Sequence, residues 1–155
     1  MTPEMLFGIC NQFALLGWLV LIVAGRKRWA SSLVTGVWVP LVLGLVYAVL
    51  IPLHWGESEG SLRTLAGVAG LFAHRWLLLA GWIHYLAFDL FVGSWEVRDA
   101  RRNRISHWAV IPCLVLTFLF GPVGLLSYFG LRIAMRRKLA IEWTWADKGK
   151  ITATR

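Results

Sequence analysis

Charge is what this sequence has least of. Only 15% of its 155 residues are Asp, Glu, Lys or Arg, against about a quarter in an ordinary soluble domain. Acidic groups are scarcer still, 8 against 16 basic ones. Cysteine is limited to Cys10 and Cys113, each inside an apolar run and without CxxC or zinc-finger spacing. That excludes a disulfide framework and a structural metal site of the cysteine type. There is no P-loop, no Rossmann glycine pattern and no nucleophile elbow. Internal repeats, low-complexity tracts and heptads are missing as well. What remains is apolar: 58% of the chain is hydrophobic and the mean hydropathy is +0.64. Long apolar runs set the class, an all-α integral membrane protein.

The formal net charge is +8. In a soluble chain this would suggest nucleic acid. Here the cations form short clusters beside apolar runs, which suits anionic lipid headgroups and the signals that orient membrane helices. Membrane lipids are therefore the expected partners, and nucleic acid is not. The first apolar run lacks a basic leader and reads as a retained helix. With no organellar transit segment visible, the expectation is a multi-pass protein of the bacterial cytoplasmic membrane.

Four runs reach the roughly 20 residues needed to cross the hydrocarbon core. They cover about residues 4–24, 33–53, 75–95 and 107–131, leaving a tail at 132–155. The predicted fold is a four-helix bundle in one domain. Trp29, Trp55, Trp76, Trp95 and Trp108 fall at the predicted helix ends, as interfacial belts do, and Trp143 and Trp145 are placed at the membrane surface. Pro40 and Pro122 each free a backbone carbonyl and predict kinks. Between the second and third helices, Ser61 is expected to cap a short interfacial helix with Leu62, Leu65, Ala69 and Phe72 on one face.

The basic clusters disagree about topology. Arg26, Lys27 and Arg28 in loop one, and Arg98, Arg101, Arg102 and Arg104 in loop three, belong on the cytoplasmic side. Four crossings would then put the tail outside, although it carries Arg132, Arg136, Arg137 and Lys138. A kinked fourth crossing is the favoured reading. A re-entrant pair of short helices around Gly121-Pro122 is the alternative that removes the conflict.

The residues that invite chemistry are polar ones at membrane depth. His84 and Asp89 interrupt the third run near its middle. An ionisable group there costs several kcal/mol on insertion scales and is normally turned inward and paired. Five residues apart is about 140° around a helix and about 7.5 Å along it, so the two must look to different neighbours. Tyr85 does share a face with Asp89. Asn11 and Gln12 form a second polar pair, readable as interhelical glue or as contacts to a polar substrate end. His107 opens the fourth run and reads as an interfacial histidine or a further member of the site. One reading makes His84 and Asp89 an acid–base pair in a dry cleft, and the other makes them interhelical hydrogen-bonding groups. A metal role is not expected: His84, Asp89, Glu96, Asp99 and His107 spread over too much depth. The run "VRDARRNR" reads as a solvated loop in which Asp99 and Arg102 pair.

The segments "GWIHYLAFDLF" (81–91), "ISHWAVIPCL" (105–114) and "GPVGLLSYF" (121–129), with the weaker "SLRTLAGVAGLF" (61–72), resemble the abscisic-acid-deficient-four-like membrane proteins. That family includes a plant plastid protein linked to neoxanthin synthesis. The resemblance implies action on, or assistance with, a hydrophobic carotenoid-like small molecule. The plant reaction is an isomerisation in which an epoxide opens and an allene forms. It needs an acid at oxygen and a base at carbon, but no redox cofactor, so no cofactor and no metal are expected. His84 and Asp89 are the expected catalytic pair, with Tyr85, Asn11, Gln12 and His107 as substrate contacts. The rival reading is a non-catalytic protein that binds carotenoid or lipid and organises a pathway. A small transporter or proton relay, which would have to oligomerise, is the third.

Overall fold

The computed structural model describes residues 1–136, and all its regular elements are helical. The expectations for Arg137, Lys138, Trp143 and Trp145 fall outside the described residues. Six α-helices are numbered here in chain order: α1 (Pro3–Ala24), α2 (Val39–His54), α3 (Leu65–Ala73), α4 (Arg75–Arg102), α5 (His107–Phe120) and α6 (Pro122–Arg136). Among the described residues, three continuous helical stretches are long and apolar enough to cross a membrane: Pro3–Ala24, Ala30–Glu57 and Arg75–Arg102. Their outward residues, such as Leu16, Val23, Leu45 and Phe88, are exposed hydrophobics. A water-soluble protein would bury such a set, so the chain is a membrane protein.

α1 opens at Thr2, whose hydroxyl accepts the Met5 N–H at 3.3 Å, with Pro3 in the first turn where its missing N–H is harmless. α1 and α4 run parallel. Glu4 pairs with Arg75 at one end, Asn11 meets Trp82 midway, and Arg101 reaches the Gly25 carbonyl at the other end. The second apolar stretch runs antiparallel to α4, since Ser31 meets Arg98, Thr35 meets Ser94, and His54 stacks on Trp76. α4 is thus the central element, packed by α1, α2, α5 and α6. At Gly93 a Cβ would lie 2.8 Å from the Trp18 ring, so glycine sets how closely α1 approaches.

Several details depart from the sequence expectations. Before Pro40 the helix is wound as a π-helix over Ala30–Trp38, which the sequence did not foretell. Pro40 has no N–H to continue the ordinary ladder. The wider register takes up the mismatch: the Val39 N–H bonds to the Val34 carbonyl, and the Thr35 hydroxyl bonds to the Ala30 carbonyl at 3.1 Å. α3 is capped by Thr64, not Ser61. Thr64 has the extended backbone of an N-cap and accepts the Gly67 N–H at 3.0 Å. α4 continues past Trp95 to Arg102, where Asn103 closes it with its side chain on the Asp99 carbonyl at 2.9 Å.

The largest difference is at residue 121. The predicted fourth helix, 107–131, is two helices that double back. Gly121 has φ +46° and ψ −97°, and Pro122 begins the next helix. This positive φ favours glycine, and proline cannot continue the preceding ladder. α5 starts with His107 against Ile22, and its far end brings Gly121 beside Asp89. α6 then returns along α4, with Tyr128 against Trp95 and Arg132 against Asp99. At Gly124 a Cβ would collide with the Thr117 backbone, so the two arms of this hairpin touch through glycine. The four-helix bundle is therefore three long helical stretches and a helical hairpin.

Candidate functional site

The hairpin tip meets α4 at Asp89, halfway along that helix. An added Cβ on Gly121 would sit 3.1 Å from Asp89 Oδ1 and 3.2 Å from Oδ2, so the carboxylate lies against the bare turn. Tyr85, one helical turn earlier, stands beside the Asp89 carboxylate. Its O–H donates to the Phe118 carbonyl at 3.1 Å. That carbonyl lies in the last turn of α5, which lacks onward helical partners because of the break at Gly121. Asp89 Oδ2 is buried and has no hydrogen-bond partner. An orphaned buried carboxylate oxygen is uncommon and asks for an explanation.

Beside this carboxylate, a groove of about 340 Å³ opens between α1, α4 and α5, lined by Asn11, Gln12, Trp82, Tyr85, Phe118 and Leu119 among others. Gln12, Trp82 and Leu119 stand exposed at its mouth, on the surface that carries the apolar residues. Asn11 Oδ1 accepts the Trp82 indole N–H at 2.7 Å, which fixes the indole at the rim. The structure thus gathers Asn11, Gln12 and Tyr85 around one groove, and Tyr85 stands between that groove and the Asp89 carboxylate.

His84 points elsewhere. Its ring stacks on Phe88 at 4.4 Å and packs near Tyr47 of α2 at 5.5 Å, on the exposed side of α4. His84 and Asp89 face different neighbours, as their angular separation requires. His107 also stands apart. Its Nε2–H donates to the Ile22 carbonyl at 2.8 Å and ties the start of α5 to the end of α1.

A second polar layer lies further along α4, under the hairpin, and sequence reasoning did not find it. Glu96 is fully buried. The Thr117 hydroxyl donates to its Oε1 at 2.9 Å, and its Oε2 has no hydrogen-bond partner. Asp99 is also buried. It forms an ion pair with Arg132 at 3.1 Å, accepts the Tyr128 O–H at 2.6 Å and accepts the Asn103 amide at 3.1 Å. Asp99 therefore pairs with α6, not with Arg102. The available signal was the seven-residue spacing of Asp89 and Glu96, which puts both on one face of a helix. It was masked because the charges of "VRDARRNR" read as a loop. Asp89, Glu96 and Asp99 form an acidic row on the side of α4 that the hairpin covers.

Such an arrangement sets a largely apolar groove near carboxyl groups buried between helices. It belongs to a class of helical membrane proteins with polar groups buried at depth. Within that class the chain belongs to the ABA DEFICIENT 4-like family, whose model matches residues 5–128. No curated protein matches it, and no solved structure does.

Proposed function

We propose that this carotenoid-related membrane protein is a non-redox isomerase. In this reading it takes an oxygenated, carotenoid-like polyene from the bilayer into the groove between α1, α4 and α5, and Asp89 is its acid–base group. The observation that carries this reading is the buried Asp89 Oδ2, without a hydrogen-bond partner, beside Tyr85, which lines the apolar groove. A rigid polyene enters such a groove sideways and brings its polar end to the carboxyl group. As an acid, Asp89 gives its proton to the substrate oxygen while a C–O bond breaks. As a carboxylate it takes a proton from a chain carbon, and a C=C bond forms. Protons move and no electron is lost, so the reaction needs no oxidant. Tyr85, anchored on the Phe118 carbonyl beside the carboxyl group, acts as a positioning residue.

His84 is the other ionisable group at this depth. It lies outside the groove, between Tyr47 and Phe88. Its replacement by Gln is therefore expected to reduce conversion less than Asp89→Asn does. The membrane arrangement we infer is three crossings plus a re-entrant α5–α6 hairpin, in a bacterial cytoplasmic membrane, with the basic clusters on the cytoplasmic side.

The test is expression of the full chain in carotenoid-producing cells, with pigments extracted and compared by absorption and mass. Isomerisation gives a product of equal mass and altered absorption, lost in Asp89→Asn and reduced in Tyr85→Phe. A pigment that co-purifies with unchanged mass and spectrum, equally in wild type and Asp89→Asn, would overturn catalysis in favour of a carotenoid-binding protein.

A further inference from the structure

At the end of the molecule opposite the arginine clusters, two segments far apart in sequence bring three ligand-type side chains together. His54 is the last residue of α2, Glu57 ends the short 3-10 turn after it, and His74 is the N-cap residue of α4. His54 Nδ1 lies 2.7 Å from Glu57 Oε2, and His74 Nε2 lies 3.3 Å from the same oxygen. One donor atom from each of the three fits within 4.8 Å of the other two. Zinc bonds of about 2.0–2.1 Å to nitrogen and oxygen in tetrahedral array place ligand atoms about 3.3 Å apart. The two contacts to Glu57 Oε2, at 2.7 and 3.3 Å, are close to that spacing.

The framework around the triad is fixed independently of any ion. The His54 ring stacks on Trp76 at 4.9 Å and 3°, which sets its plane. The connection between Glu57 and His74 is braced by Ser58 Oγ on the Gly70 carbonyl at 3.3 Å and by the Ser61 N–H on the Gly67 carbonyl at 3.0 Å. Glu57 is 55% exposed, while the two imidazoles are 18% and 26% exposed. The histidines are thus held by the fold, and the side facing water is open.

We propose that His54, Glu57 and His74 bind one first-row divalent cation of the zinc type, with water in the remaining position. Two neutral imidazoles and a carboxylate match the borderline character of such an ion, whereas calcium and magnesium prefer oxygen alone. Three protein ligands with an open position is the composition of a site that keeps exchangeable water. The ion joins the end of α2 to the corner between α3 and α4. The site is separate from Asp89 and its groove.

The experiment uses the full chain in detergent, purified through a histidine-free affinity tag and stripped with chelator. Zn²⁺ is titrated calorimetrically, and Co²⁺ is added as a spectroscopic substitute whose visible bands report low coordination number. One Zn²⁺ per chain is expected. Glu57→Gln and His74→Gln should each weaken binding by about a hundredfold or more, since loss of an outer-sphere partner alone costs about 10–100-fold. His107→Gln, at the other end of the molecule, should bind like wild type. Absence of stoichiometric Zn²⁺ in wild type overturns the site. So does a loss in His107→Gln as large as in the other two. Glu57 is the most exposed of the three, so Glu57→Gln tests the ligand without disturbing packing, and helical circular dichroism checks that the chain is intact.

Discussion

At the scale of single residues, the decisive fact is which neighbour each polar group found. Asp99 and Arg132 are both buried and 3.1 Å apart, with Tyr128 and Asn103 completing the carboxylate's shell. Removing one partner of a buried pair leaves an uncompensated charge, at a typical cost of about 3–5 kcal/mol. Arg132→Met should therefore lower the thermal unfolding midpoint in detergent markedly. The double variant Arg132→Met/Asp99→Asn should recover more than half of the loss, because the neutral amide still accepts from Tyr128. Failure of the double variant to recover would mean that Arg132 stabilises by packing and not by charge. Local spacing made the shared face of Tyr85 and Asp89 legible, because four residues is one helical turn. Helical angle likewise separated His84 from Asp89. The Asp99–Arg132 pair was not legible: its members are on different helices, and only the return of α6 along α4 brings them together.

At the scale of elements, the apolar runs were visible because lipid-facing helices are apolar over their whole length. Their ends were less so. The last turns of α4 are charged yet helical, since Asp99 and Glu96 are covered by the hairpin while the arginines reach carbonyls of neighbouring segments. Pro40 and Pro122 looked equivalent in sequence but act differently. Pro40 is absorbed by a π-helical stretch, whereas Pro122 follows a glycine that takes up a positive φ and reverses the chain. The hairpin then depends on small residues where its arms touch. On α6, Gly124→Ala would push a methyl group into the Thr117 backbone, while Gly130→Ala meets open space. Gly124→Ala should destabilise, by about 1–3 kcal/mol as overpacking typically does. Gly130→Ala should be neutral or slightly stabilising, because alanine favours the helix. Equal melting midpoints for the two variants would show that the arms do not need this contact.

At the scale of the whole molecule, the hairpin supports the proposed re-entrant arrangement, in which loop one, loop three and the end of α6 share one side. α5 has 14 residues and spans about 21 Å at 1.5 Å per residue, short of the roughly 30 Å hydrocarbon core. Its tip stops beside Asp89, and α6 carries the chain back to the level of Asp99. Loop one, loop three and the end of α6 then lie at one end of the molecule. There Arg28, Arg98, Arg101 and Arg102 line a common cavity. In the arrangement proposed above, a single cytoplasmic side for loop one, loop three and the end of α6 accords with the positive-inside rule. Cysteine accessibility distinguishes this from a fourth crossing. In a background of Cys10→Ser and Cys113→Ser, single cysteines would be placed as Lys27→Cys, Asn103→Cys, Met135→Cys and Glu59→Cys. In right-side-out vesicles an impermeant maleimide should label Glu59→Cys alone, and in inverted vesicles it should label the other three. Labelling of Met135→Cys together with Glu59→Cys would mean that residues 107–131 cross the bilayer completely. The Gly121 turn would then lie on the far side and not beside Asp89, and the groove proposed for the substrate would lose its inner wall.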